Sequence, residues 1–313
     1  MSAITPFSIA ISDNKIELLK EKLSLTAIPD EQANGIDSWA RGVPLGDIKR
    51  LTHHWAEGYD WRAAEVELNK LPQFITEIEV ETFGKYGIHF VHQKSNVEHA
   101  IPLLFIHGWP GGFFEVSKLL PYLKGDDEHP AFHVVAPSLV DFGFSSASKK
   151  AIHTNSALPA EPTESEHPQL HAKLRDTSLS AAELKGLTRS AEFWANGFGY
   201  YQLASTRPMT VGYALADSPV ALLAWIYEKL HDWTDPQHKW TDDEISRFAN
   251  DSVLLPRLWN QTLGPVIYEI EYEVGGHFAA WERPDAIAND LRVMFGKGGA
   301  AYACVTGKSG YEE

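Results

Sequence analysis

The chain has 313 residues, 44% hydrophobic and 22% charged, enough to bury one large core or two modest ones. A formal net charge of −15, with no Lys/Arg cluster longer than Lys149-Lys150, argues against nucleic acid or another polyphosphate as partner. A single cysteine, Cys304, excludes an internal disulfide framework; with no run near the ~20 apolar residues of a membrane span and no basic n-region at the start, a cytoplasmic protein is expected.

Residues 1–73 read as helix and loop, an N-terminal domain distinct from the remainder of the chain. Ser12 is a candidate cap for a helix whose Ile16, Leu19 and Leu23 share one face, and Pro44, Gly58 and Pro72 punctuate the residues after it. Trp39, Trp55 and Trp61 are candidates for packing on the sheet or on a second copy of the chain, so a homodimer is one expectation.

At residue 74 the period changes. "FITEIEVETF" and "GIHFVHQ" alternate as antiparallel strands, whereas "IPLLFIHG" and "FHVVAPS" are continuous apolar runs of the kind a parallel sheet buries on both faces. A helix over 113–120 separates those two runs and makes a βαβ unit, so 74–150 reads as the first part of an α/β core.

Residues 151–246 open on the proline-bearing acidic stretch "LPAEPTESEHP" and continue as helices, the profile of a helical insertion. One helix is signalled by Ser180 and Glu183 in capping-box spacing, another by "SPVALLAWIYEKLHDW". From 247 to 313, "VLLPRLW", "VIYEIEY" and a helix beginning at Pro284 return to strand and helix alternation, the last part of the core, and "GKGGAAYACVTGKSG" reads as a flexible tail.

Chemistry can be placed on this frame. "FIHGWPGG" ends a buried strand in a tight loop whose backbone N–H groups can form part of an oxyanion hole, since donors fixed in advance stabilise charge that appears in the transition state. The plain alternative is a glycine turn between strand and helix. His277, after an alternating run and before a helix, stands where a general base would sit, and Asp251 is the candidate carboxylate to orient it; singly, a histidine in a glycine-rich turn is more often structural. His167 and His171 lack a third metal ligand, His53 and His54 fit a solvated helix face, and Asn260-Gln261-Thr262 is a glycosylation sequon without a secretory route.

Several stretches together resemble the microsomal-type epoxide hydrolases, an α/β-hydrolase family with its own N-terminal domain. They are "YDWRAAEVELNKLPQF", "PLLFIHGWPGGFFEVSKLLPYL", "VVAPSLVDFGFSSASKK", "STRPMTVGYALADSPVALLAWIYEKLHDW" and "TLGPVIYEIEYEVGGHFAAWERPDAIANDLRVMFGKGG". The resemblance implies an α/β-hydrolase sheet with a helical N-terminal domain and a helical cap, acting on small hydrophobic epoxides in detoxification or aromatic catabolism, without metal or cofactor. In that family an aspartate opens the epoxide, a histidine-activated water hydrolyses the ester to a diol, and two cap tyrosines donate to the epoxide oxygen. Carried over, Trp109 matches the oxyanion-hole position through its backbone N–H, Asp251 the acid, His277 the base and Tyr200 the first tyrosine, with Tyr201 one position away. Tyr200 and Trp225 would line the pocket, although an aromatic buried in the cap core is the plain reading of Tyr200.

The departure from the family concerns the nucleophile. "FGFSSASKK" runs straight into "AIHTNSALPAEP" where the family has a Gly-Gly-Asp-Trp-Gly elbow, and no Gly-x-Asp-x-Gly, Gly-x-Ser-x-Gly or cysteine elbow occurs in the chain. A second join falls between "WTDDEI" and "SRFAND", where the family has its second tyrosine and the strand before the acid. Both joins lie between recognisable segments, the pattern of excised blocks such as skipped exons, and an incomplete sheet is expected. Asp141, after a strand and at the carboxyl end of the sheet, is the candidate substitute carboxylate; a surface-turn aspartate is its ordinary reading.

Overall fold

The computed structural model describes residues 3–30, 39, 41–81, 84–146, 161–246, 266–270 and 272–312. Five strands form one sheet in the order β1-β2-β3-β5-β4, with β1 Thr5–Pro6, β2 Gln73–Val80, β3 Gly84–Gln93, β4 Ile101–Leu104 and β5 Phe132–Pro137. β2 and β3 pair antiparallel, as their alternation predicts, with Phe74 opposite Phe90. β4 and β5 pair parallel, Leu103 opposite Val134, and the helical turns Phe113–Glu115, Val116–Leu119 and Leu120–Leu123 make the crossover.

β5 has neighbours on both sides, and Phe132, Val134 and Ala136 are buried. β4 does not have them: among the described residues it pairs with β5 alone. The continuous apolar run at 101–106 therefore fails to be covered throughout, and Leu104 and Ile106 are 60% and 58% exposed. A parallel strand is normally buried on both faces because crossover helices and further strands flank it.

Two compact units divide the chain. The first comprises Met1–Ala151, Ala214–Asp251 and Tyr272–Glu313, and the second Ile152–Tyr213 and Ser252–Glu271. In the first, one core packs β4 and β5 against Val116, Leu119 and Ala288, with Ile9 beneath. A second core joins the N-terminal helices Asp13–Ser24 and Leu45–His53 to the helix Pro219–Trp233 through Leu23, Ile48, Leu51, Leu223 and Leu230. This apolar contact draws 214–246, grouped with the cap by sequence, into the first unit. Trp39 stacks on His231 at 3.5 Å and Trp55 and Trp61 pack on the cores, so these tryptophans find partners within the chain.

The second unit holds the helices Pro168–Asp176, Ala181–Glu192 and Gly199–Thr206, and Ser180 and Glu183 form the reciprocal cap their spacing predicts. Ser12 does not behave likewise: it occupies the cap position, but only its carbonyl is used, accepting from Lys15 and Ile16. Residues 266–270 of "VIYEIEY" form no strand, with Ile267 63% exposed, because alternation needs a neighbouring strand before it becomes a ladder. "VLLPRLW" lies outside the described residues.

The glycine-rich end is no free tail. The Ala131 N–H donates to Gly310 O at 2.7 Å, the Gly310 N–H to His99 O at 2.8 Å, and Tyr311 is 6% exposed. Gly310 has φ +87° and a Cβ there would meet Pro130 at 2.6 Å, so only glycine allows this close approach. Among the described residues no single helix is long and apolar enough to cross a membrane.

Candidate active site

The loop after β4 continues the ladder by one bond, Phe105 N–H to Val135 O at 2.9 Å, and then turns at His107. His107 is buried. Its Nδ1–H donates to Gly108 O at 2.9 Å, which leaves Nε2 to accept the Leu139 N–H at 3.1 Å. Burial lowers its pKa, so the neutral tautomer these bonds require is the stable one. His107 thus ties the loop at 107–112 to the turn after β5.

At the far side of that loop, Glu115 reaches back and Oε1 accepts the Gly112 N–H at 2.8 Å. A Cβ on Gly111 would lie 2.3 Å from the same oxygen, so the carboxylate occupies space that a glycine leaves open. Glu115 is 5% exposed and burial pushes its pKa up to about 7. Sequence reasoning missed this residue; the Gly-x-x-Glu spacing at 112–115, half of a capping box, is the signal that could have found it. Trp109, the proposed oxyanion-hole residue, sits within the loop with its side chain 43% exposed, and its peptide bond to Pro110 is cis.

His277 is presented by a turn that only glycines can make. Gly275 has φ +134°, and a Cβ on Gly276 would come within 2.7 Å of Asp235 N and 2.8 Å of Trp233 O. The turn is pinned by one carboxylate. Glu282 Oε2 accepts the N–H groups of Asp235 and Gly276, at 2.9 and 3.1 Å, and Oε1 accepts that of Phe278 at 2.9 Å. Burial raises the pKa of Glu282, while these three donors pull the other way. The His277 N–H donates to Trp233 O at 3.2 Å, and the next residue, Phe278, is wholly buried with its ring 4.8 Å from Trp240.

His277 itself is exposed on one side, and the protein packed against the other lowers its pKa below that of a free imidazole. It is neutral at pH 7 and can accept a proton, as a weaker base than in water. Asp251, its expected orienting acid, lies outside the described residues.

The elements bearing His277 and the 107–112 loop are packed together. The helix Ala279–Glu282 meets the crossover helix through Phe114 and Trp281, ring centroids 6.3 Å apart. Lys118 Nζ lies 3.8 Å above the Trp281 ring, and Glu244 accepts from both Lys118 and the Trp281 indole, at 3.2 and 3.1 Å.

Asp141 occupies the turn that His107 grips through Leu139. It is exposed, its backbone is left-handed at φ +70°, and its N–H donates to Ser146 O at 3.2 Å. Short polar side chains tolerate that conformation better than most, which is why an aspartate can stand there. Tyr200 belongs to the second unit, half-buried on the helix Gly199–Thr206, its ring 6.1 Å from Phe198. Tyr201 stacks on the same Phe198 at 4.5 Å and is 50% exposed.

The family model "Epoxide hydrolase N terminus" matches residues 4–116. A putative epoxide hydrolase of Stigmatella aurantiaca is 32% identical over an alignment of 379 residues, covering 93% of this chain and 84% of that protein. Epoxide hydrolase 1 of Sus scrofa is 28% identical, over 94% of this chain and 89% of its own. Among solved structures, an Aspergillus niger epoxide hydrolase superposes with a TM-score of 0.75 at 26% identity, covering 92% of this chain and 95% of the other.

Proposed function

Because the chain belongs to the epoxide hydrolase family of α/β-hydrolases, we propose that it descends from a hydrolase of small hydrophobic epoxides and retains the base and oxyanion parts without the nucleophile. The supporting observation is the length of the alignment: 379 positions against a 313-residue chain leave a substantial part of the relative opposite nothing here. That β4 pairs with β5 alone among the described residues supports a strand missing from the sheet.

On this reading His277 assists a water molecule directly, with Asp251 as its orienting acid and Trp109 offering its backbone N–H to the developing alkoxide. Water attacks an epoxide carbon while His277 takes its proton, the C–O bond breaks, and the alkoxide is protonated to give the diol. Without a carboxylate nucleophile the rate falls by roughly 10⁴ to 10⁶, as in hydrolases whose reacting residue has been removed. The second reading, a silent hydrolase-like chain or binding module, is favoured by the same missing elbow.

The test is a single-turnover reaction of styrene oxide in ¹⁸O-water, with wild type and His277→Gln. Direct hydration puts the label into the first diol formed and depends on His277. An unlabelled first diol would mean that a protein oxygen attacked carbon and would overturn the proposal; loss of that oxygen transfer in Asp141→Asn would name the substitute. Equal diol from both proteins would leave the binding-module reading.

A further inference from the structure

The first unit contains an apolar cavity of about 370 Å³ to which neither His277 nor Trp109 contributes. Its walls come from the N-terminal domain and the loops that follow β4 and β5: Trp55 and Trp61, Phe113 and Phe144, and Ile16 and Leu19 of the helix Asp13–Ser24. That size and lining suit a small organic body.

Among the described residues two lysines, Lys15 and Lys20, border the cavity, and no acidic side chain does. Helical geometry places them on opposite flanks of the Ile16–Leu19 stripe, where their aliphatic stems can lie along apolar wall with the ammonium groups in water. Both are exposed, and neither takes part in an ion pair among the described residues. Some other cations of this acidic chain are engaged: Lys22 with Asp217, Arg62 with Asp13 and Glu65, Lys70 with Glu67, Lys118 with Glu244.

We propose that this cavity is a binding site for a hydrophobic monocarboxylate, its aromatic or short alkyl body between Trp55, Trp61 and Phe113 and its carboxylate between Lys15 and Lys20. The apolar walls supply affinity, and the paired cations select the anion over its neutral isostere in a protein whose overall charge repels anions. The site is independent of whether the chain turns over an epoxide.

The experiment compares 4-phenylbutanoate with 4-phenylbutan-1-ol on the full chain, by calorimetry and tryptophan fluorescence. The carboxylate binds one-to-one and more tightly than the alcohol. Lys15→Gln with Lys20→Gln weakens the carboxylate about tenfold and the alcohol less than twofold, and added salt weakens only the former. Leu19→Trp, which fills the cavity, removes both. Equal affinity of acid and alcohol in the wild type, an unchanged carboxylate affinity in the double lysine variant, binding that survives Leu19→Trp, or no saturable binding would each overturn the proposal.

Discussion

Glu115 Oε1 receives the Gly112 N–H at 2.8 Å from beneath the loop that carries Trp109, in a place where water does not reach it. The bond holds the loop and puts a carboxylate where charge is costly. Between the ordinary value of 4.5 and about 7, the folded protein keeps a proton that the unfolded chain has lost, so stability falls as pH rises through that window.

Glu115→Gln keeps an acceptor for Gly112 and carries no charge. Urea denaturation is expected to show the variant more stable than wild type by roughly 2 kcal/mol at pH 8 and no more stable at pH 4. A difference independent of pH would mean that ionised Glu115 costs nothing.

His89 has the opposite sign. It is fully buried, with Ser138 Oγ at 2.8 Å from Nδ1 and Gln73 Oε1 at 3.0 Å from Nε2, and burial lowers its pKa to about 4. Below 6.5 the unfolded chain takes a proton that the folded one refuses, so its contribution is complete above 6.5 and is lost towards 4, up to about 3 kcal/mol. Imidazole NMR of the native state checks this: the His89 resonances should not titrate between pH 7 and 5.

Gly276→Ala forces a methyl against main-chain atoms, Asp235 N and Trp233 O, which cannot swing aside. A cost of about 1–3 kcal/mol is expected, with loss of any His277-dependent hydration beyond what the stability change explains. Full activity with native stability would show that the turn does not position His277.

Leu104→Lys with Ile106→Lys places charge on the open flank of the sheet. Light scattering should show less self-association and denaturation should show stability within about 0.5 kcal/mol of wild type, because both side chains already face solvent. A large destabilisation would mean that something covers this flank in solution.

The strands β2 to β5 were legible because their signal is local, alternation in β2 and β3 and continuous apolar residues in β4 and β5, although the run that forms β4 is not covered throughout. The same rule failed at "VIYEIEY", since period alone supplies no neighbour to pair with. The 107–112 loop was legible as a glycine-rich turn after a strand, and His277 as part of a glycine-rich turn before a helix. Glu115 and Glu282 were not recognised, because what they do depends on folding back onto main-chain N–H groups, and in sequence they are two ordinary helix glutamates. The left-handed backbone of Asp141 gives no sign in a single sequence either.

The clasp of Gly310 on His99 and Ala131 also orders events in time. The Ala131 amide, at the amino end of β5, finds its acceptor some 180 residues downstream in the order of synthesis. Until residue 310 has left the ribosome, the parallel pair holds one main-chain hydrogen unclaimed, so the last bond at this end of the sheet waits on a segment far downstream of the strand it completes.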